Sequence, residues 1–440
     1  MFVNKDRILK NKQNILLSAA GISFDTEAAS FPKVNVEYAI GAISLTFTAA
    51  VIINVNYGDG QTDTLVAKAS GDDWIYTFRN VGNMLSDAQQ ATDNAHTYSD
   101  GQQKHRVTIF YPVEYLKAVG MSQLLFTKQD LAFVFSKHVN LERFALHIVR
   151  DTPDGAFVNL NLDNIEFCKT LNQLEIDSVF NPDSPWYGAL PYPLLGRPLN
   201  WLSFGDSGYI GKTFAESSMD RIADAALTLE HLEIHYAIED NNGGTDPGPL
   251  PSNFTALNRL TWFEVAGSNW TTIPAMINNW PQLDTLYMYS IDTPDFDWGD
   301  LSNLVNLRKL TLNAINRIYP HVPAYLPALT NLKTFNMQGC FKTDTGRPGH
   351  IDLFIGELYT MVTVTVNPPK TGTSADAWRS VTYDVSEVNI PGYATTDVPA
   401  GIYQHPAGYV QGTSNGTPAT SLEKFWVLDH QYSWKCNWKK

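Results

Sequence analysis

The sequence predicts a multidomain protein built mainly of β-strands: an N-terminal β-sandwich, an irregular solenoid of repeated short strands, and a C-terminal capping piece. Three observations carry this expectation. Within residues 33–112, apolar and polar residues alternate between glycine-rich turns. From Leu141 onward an apolar triplet with one, four, six spacing keeps returning. Residues 368–440 then turn to Gly, Pro, Thr, Tyr and Trp. A chain of 440 residues also exceeds one ordinary core and fits several domains or one solenoid.

Residues 1–32 precede the first regular pattern. Their start, MFVNKDRILKNKQNILLSAAG, has basic residues, a short apolar run and small residues, the outline of a weak signal peptide. The apolar run is barely long enough, and Gln13 and Asn14 interrupt its approach. With Met1 in place, residues 1–32 are expected to be a mature N-terminal arm or attachment segment.

In residues 33–112, NVNYGDGQTDTLV reads as an alternating strand, a Gly-Asp-Gly turn and a second strand. AHTYSDGQQKHRVTIFYP again places a turn before a strand. Tyr57, Gly58, Asp59 and Gly60, then His96, Thr97 and Tyr98, then the strand Val107 to Phe110, resemble a PKD-like (PKD/Ig-like) β-sandwich. The tryptophan usual before that family's turn is absent; Val55 and Tyr57 stand nearby. The resemblance implies a spacer or adhesive module.

Residues 113–367 carry the repeats. The triplets are Leu141/Phe144/Leu146, Leu171/Leu174/Ile176, Leu199/Leu202/Phe204 and Leu229/Leu232/Ile234. They continue at Leu260/Phe263/Val265, Leu283/Leu286/Met288, Leu307/Leu310/Leu312 and Leu332/Phe335/Met337, with a weaker copy at Met361/Val364/Val366. Positions four and six alternate as in a short strand, so both face one side, and position one packs beneath them. A strand this short buries that side only when neighbours stack on it. From Leu260 to Leu332 the first positions are spaced 23, 24 and 25 residues apart. The return segments IPAMINNWPQL and VPAYLPALTNL carry Ile-Pro and Val-Pro at matching offsets, which chance apolar matches would not. The pattern resembles the leucine-rich-repeat family, most specifically in its later half. The Asn or Cys usual after the family's strand is mostly missing: Cys340 fits that place, and Ser207 and Ser268 occupy it elsewhere.

Residues 368–440 are expected to be an irregular cap or interaction piece covering the solenoid's open end. A short helix is expected near Thr420 to His430, after the start signals Pro418 and Ser421.

Bulk chemistry narrows the function. Net charge is −14 and no run of five Lys/Arg occurs, which argues against nucleic acid as a partner. No stretch of about 18 apolar residues appears, so no membrane insertion is expected. Cys168, Cys340 and Cys436 lie far apart without a CxxC pair, which argues against zinc and against a disulfide scaffold. FGDSGYIGKT (204–213) looks like a protease nucleophile motif and the end of a phosphate loop. No matching His motif accompanies the first, and Asp206 stands where the second needs glycine, so a turn after a repeat strand is preferred. The acidic loops 238–248 and 291–300 offer calcium a weak option, since neither has EF-hand spacing. No other cofactor is expected.

Aromatic residues are the remaining resource. Trp262, Trp270, Trp280, Tyr287, Tyr289 and Trp298 crowd the middle repeats. Tyr287 and Tyr289 alternate with Leu286 and Met288 and should point away from the core. Of this group, Trp262, Trp270, Tyr287, Tyr289 and Trp298 are the expected binding residues, for sugar stacking or as protein hot spots. Packing against neighbouring repeats or a partner chain is an equal alternative. No catalytic or metal residue is assigned, and a non-enzymatic binding or structural protein is expected.

The order of modules, with the ending PAGYVQGTSNGTPATSLEKFWVLDHQYSW, is similar to virion proteins of phages of Bacteroidetes-type bacteria and to the surface leucine-rich proteins of their hosts. The resemblance implies a bacteriophage tail, baseplate or capsid-surface component, oligomeric within an assembly. Its partners would be other virion proteins and a host surface glycan or protein receptor. A bacterial cell-surface adhesin is the alternative, and a glycan-active enzyme a third option.

Overall fold

The computed structural model describes residues 19–25, 42–80, 94–96, 106–122, 138, 140–148, 168–178, 198–205, 219–235, 249–268, 270–289, 291, 293, 296–313, 315, 321–329, 331–337, 350–361, 382–384, 404–410, 413–432 and 435–437. These fall into two units that part between Thr228 and Leu229. Among the described residues, no helix is long and apolar enough to cross a membrane.

In the first unit, β1 (Ala19–Asp25), β8 (Arg106–Pro112), β3 (Ile52–Asn56) and β4 (Thr62–Val66) form an antiparallel sheet in that order. Thus the segment expected as an arm contributes a strand, paired along its whole length with β8. The β3–β4 turn is made by Tyr57 to Gln61. Gly58 and Gly60 take φ of 80° and 90°, which side chains resist. The carboxylate of Asp59 accepts the Gln61 amide N–H at 3.0 Å.

The second sheet of this unit contains β5 (Lys68–Ser70), β6 (Asp73–Asn80), β2 (Ala42–Phe47) and β9 (Leu116–Ser122). A short β7 (Asn94–His96) pairs with β6. Strand β9 is antiparallel to β2 on one side and parallel to β10 (Arg143–Ile148) on the other. Then β11 (Gln173–Ser178) and β12 (Trp201–Gly205) continue in parallel. The boundary expected at residue 112 therefore falls just before a strand shared by both patterns. Ile43, Leu45, Phe47, Val107 and Ile109 are fully buried, and Phe47 meets Tyr111 edge-on at 5.5 Å.

The second unit is the more regular. Strands β13 (His231–His235), β14 (Trp262–Ala266), β15 (Thr285–Tyr289), β16 (Lys309–Asn313) and β17 (Thr334–Asn336) pair in parallel and in register. This is a leucine-rich-repeat fold. The four and six positions Phe263, Val265, Leu286, Met288, Leu310, Leu312, Phe335 and Met337 are all at 0% exposure. Position one, from Leu229 to Leu332, is equally buried. Between strands the chain runs in short 3-10 turns of period three. Ile277, Trp280 and Leu283 each donate their N–H to the carbonyl three residues earlier, at 3.0–3.1 Å. Pro323, Leu326, Leu329 and Leu332 repeat the device. Side chains three apart then eclipse and form a second buried column behind the strands.

Rungs are joined at the strand entry. The Glu230 carbonyl accepts the N–H groups of both Thr261 and Trp262; those of Thr261, Asp284 and Arg308 do the same for the following rung. Side-chain links back up the last two joins: Asn306 Nδ2 donates to the Pro281 carbonyl and Asn331 Nδ2 to that of Val305, each at 2.8 Å. The asparagines missing after the strand thus have counterparts just before position one.

Two departures from expectation follow. Met361 directly follows a helix, α1 (His350–Thr360), while Val364 and Val366 lie outside the described residues. Residues 368–440, expected to be an irregular cap, supply β18 (Thr382–Asp384) and β19 (Lys435–Asn437), which extend the parallel ladder. Strands of three residues are too short for an apolar pattern to announce them. The expected helix is α2 (Ser421–Tyr432). The Thr420 Oγ1 accepts the Glu423 N–H, and the Glu423 carboxylate accepts those of Thr420 and Ala419, a capping box. Backbone hydrogen bonds from Thr420 and Ala419 hold the Glu423 carboxyl below the usual carboxylate range.

Burial at 0% sets a clear expectation for Leu286→Ala. It should lose roughly 2–5 kcal/mol. Val305→Ala, at a half-exposed position, should stay within about 0.5 kcal/mol. Urea unfolding midpoints check both. A second expectation concerns alkali. Burial raises the Tyr76, Tyr111 and Tyr325 hydroxyls well above the ordinary phenol value. The folded chain keeps them protonated where the unfolded chain ionises them. Their contribution is complete below about pH 10 and falls as pH rises beyond it. Stability measured from pH 9 to 12 should drop progressively, and substitution of Tyr325 by Phe should lessen the drop.

Candidate functional site

Strand alternation turns one face of the second unit's ladder away from the apolar core, although Ala266, Thr285 and Thr311 on it are buried. In-register pairing builds columns on it. One column runs His231, Trp262, Thr285, Lys309, Thr334; the next runs Glu233, Glu264, Tyr287, Thr311, Asn336; a third runs His235, Ala266, Tyr289, Asn313.

These side chains hold one another. Glu233 and Glu264 are direct neighbours on adjacent strands, an arrangement that like charges disfavour. Ring N–H groups offset it. His231 Nε2 lies 2.5 Å from Glu233 Oε1, and His235 Nε2 lies 3.2 Å from Glu264 Oε1. Trp262 Nε1 donates to the other Glu264 oxygen at 3.2 Å. His231 stacks on Trp262, with centroids 5.1 Å apart and planes 17° apart. Tyr289 meets His235 edge-on at 5.5 Å and lies tilted by 47° against Tyr287 at 5.2 Å. The Lys309 ammonium sits over both Trp262 and Tyr287, 5.4 and 5.7 Å from the ring centroids.

The arrangement is a band of fixed chemistry. Acceptors lie on β13 and β14, aromatic rings on β14 and β15, and donors on β16. It can bind, through charge, ring edges and hydrogen bonds. Among the described residues no group of three or more His, Cys, Asp or Glu gathers as a metal site.

The expected binding residues divide. Trp262, Tyr287 and Tyr289 are half-buried members of this band. Trp298 is 2% exposed and Trp270 7% exposed, so neither presents a free ring. Trp298 stacks on Phe354 of α1 at 5.7 Å. It follows a bridge between Thr272 and Asp297 and precedes Gly299, whose φ of 60° turns the chain. A Cβ at Gly299 would come within 2.7 Å of the Ile273 carbonyl oxygen. Trp298 therefore belongs to a turning loop, where strand alternation does not set the direction of a side chain. In the acidic loop 291–300, Asp300 Oδ1 accepts the Ser302 N–H and Oδ2 accepts Asn278 Nδ2. Loop 238–248 and residues 206–213 of FGDSGYIGKT lie outside the described residues.

Sequence reading missed His231, Glu233, His235, Glu264, Lys309 and Thr311. A signal existed: reading the positions between four and six across successive repeats collects Glu233, Glu264, Tyr287, Thr311 and Asn336.

The Lys309 contact is measurable. A double-mutant cycle between Trp262→Ala and Lys309→Met should give a coupling of about 0.5–1 kcal/mol. Zero coupling would place the ammonium elsewhere.

No family model matches the chain, and no curated protein matches it. Solved structures with partial likeness are leucine-rich-repeat proteins. The Arabidopsis receptor kinase HAESA, in complex with the peptide hormone IDA and the co-receptor SERK1, has 16% identity and a TM-score of 0.30. That match covers 62% of this chain and 39% of that one, so the chain spans about two fifths of the receptor. An internalin (InlF) of Listeria monocytogenes has 14% identity over 62% of this chain and 90% of its own, with a TM-score of 0.27. Another internalin from that bacterium (InlC2) has 16% identity over 47% and 82%, with a TM-score of 0.24.

Proposed function

We propose that the chain is a non-enzymatic recognition protein that binds its partner with the β13–β16 face. One observation carries this reading: polar and aromatic side chains on a sheet face outside the core are already fixed by one another. Such a face loses little side-chain freedom on binding, which favours affinity. The partner is a host receptor or surface glycan. The setting is a phage virion, where the chain is an exposed component beside other virion proteins; the resemblance of its module order supports this. Display on a bacterial cell surface as an adhesin is the alternative.

The Glu233/Glu264 pair favours one further reading, a glycan hydrolase, because that chemistry uses two neighbouring carboxylates. Binding is preferred, since both carboxylates already serve as acceptors for ring N–H groups.

Mass spectrometry of purified particles tests the setting. Stoichiometric peptides from this chain are expected; finding it in the cell envelope instead would make it an adhesin. Removing residues 1–18, which spares β1, should abolish incorporation if this segment docks the chain. In adsorption assays the purified protein should compete with particles for host cells. Trp262→Ala with Glu264→Ala should weaken competition at least about tenfold, the scale of hot-spot losses. New reducing ends released from host polysaccharide would instead establish the hydrolase.

A further inference from the structure

We propose that Lys309 and Thr311 form a subsite for the carboxylate of an acidic sugar within a bound glycan. The inference rests on the recognition reading of this face and names its ligand. Among the described residues, two donors on β16 have no acceptor. Among the described residues, the Lys309 ammonium meets ring faces and no carboxylate. Thr311 is 1% exposed, and its hydroxyl has no hydrogen-bond partner. The two residues are two apart on one strand and share a face. A valine would fill the threonine's place without burying an unpaired hydroxyl. Adjacent unpaired donors, one charged, fit a carboxylate from outside the chain.

The surroundings select the rest of the ligand. Thr285 and Thr334 flank Lys309, and Tyr287 and Asn336 flank Thr311; all four are neutral hydrogen-bonding groups. On the far strands stand Glu233 and Glu264, in a chain of net charge −14. A ligand with many negative charges, such as an acidic peptide or a nucleic acid, would be repelled there. A chain of hydroxyl-rich sugars with one carboxylate per site is not. It gives the carboxylate to Lys309 and Thr311, and donates hydroxyls to Glu264 and Glu233. Three strand spacings separate β13 from β16, about 14 Å, which is more than one sugar spans. The Thr311 hydroxyl is covered in the ligand-free chain. A neighbouring side chain must therefore shift to admit the carboxylate.

The test is a glycan array of uronic- and sialic-acid oligosaccharides beside their carboxyl-reduced counterparts, probed with the full chain, with a glutamate-rich peptide as comparison. Calorimetry then follows on the best binder. We expect binding to at least one acidic oligosaccharide and a loss of about tenfold or more on carboxyl reduction. Lys309→Met and Thr311→Val should each weaken it by about tenfold. Thr311→Val should leave Tm unchanged or raise it, which a merely structural residue would not do. Acidic sugars binding no better than reduced ones, affinity unmoved by both variants, or preference for the acidic peptide would each overturn the proposal. If the array is blank while Trp262→Ala with Glu264→Ala still competes with particles less well than the native chain, the sugar is wrong and the recognition face stands. If that variant competes as well as the native chain, both fall.

Discussion

A strand of five residues buries its inward side chains only when another strand lies beside it. Everything regular in the second unit depends on that constraint. Each strand-entry carbonyl, from Glu230 to Arg308, takes two N–H groups of the next rung and so sets the register between them. Register stacks Phe263, Leu286, Leu310 and Phe335 into one buried column, and Val265, Met288 and Leu312 into another. Behind them, the period-three 3-10 turns bury Ile277 and Trp280, and the Trp280 ring meets Phe263 edge-on at 5.0 Å. Trp280 completes its own hydrogen bonding by donating to the Phe254 carbonyl at 2.8 Å.

The same register builds the outward face. With the inward columns fixed, residues between them have nowhere else to stand. Glu233 must lie beside Glu264, and Tyr287 beside Thr311. The core therefore imposes a like-charge pair and an unpaired hydroxyl on its own surface. The first cost is offset by the His231, His235 and Trp262 ring N–H groups. Among the described residues, nothing offsets the second. That asymmetry is what distinguishes β16 from its neighbours and gives the face a direction, acceptors at one side and donors at the other.

The first unit shows a different use of one strand. Strand β9 closes an antiparallel arrangement with β2 and opens a parallel one with β10. Lys117 within it also pairs with Asp73 at 3.1 Å, tying the strand to the start of β6. A shared strand of this kind lets a ladder begin on a ready-made edge, which is otherwise the exposed liability of a short parallel sheet.

The sequence by itself determined the repeat. Leucines at position one, apolar residues at four and six, and Ile-Pro or Val-Pro at matching offsets are local and periodic, and each follows from backbone geometry. The helix at Ser421–Tyr432 was legible from equally local signals, Pro418 and Ser421. Tyr287 and Tyr289 could be turned outward from alternation alone. Only the tertiary structure decided the rest. Trp298, expected to bind, packs instead in the core from a loop that turns at Gly299. Strands β18 and β19 are three residues each, too short to carry a period, and became strands because a ladder edge was there to pair them. The site was hidden most of all, because His231, Glu264, Lys309 and Thr311 come from separate repeats. Nothing in a chain's local pattern says which polar side chain will meet which; stacking in register does.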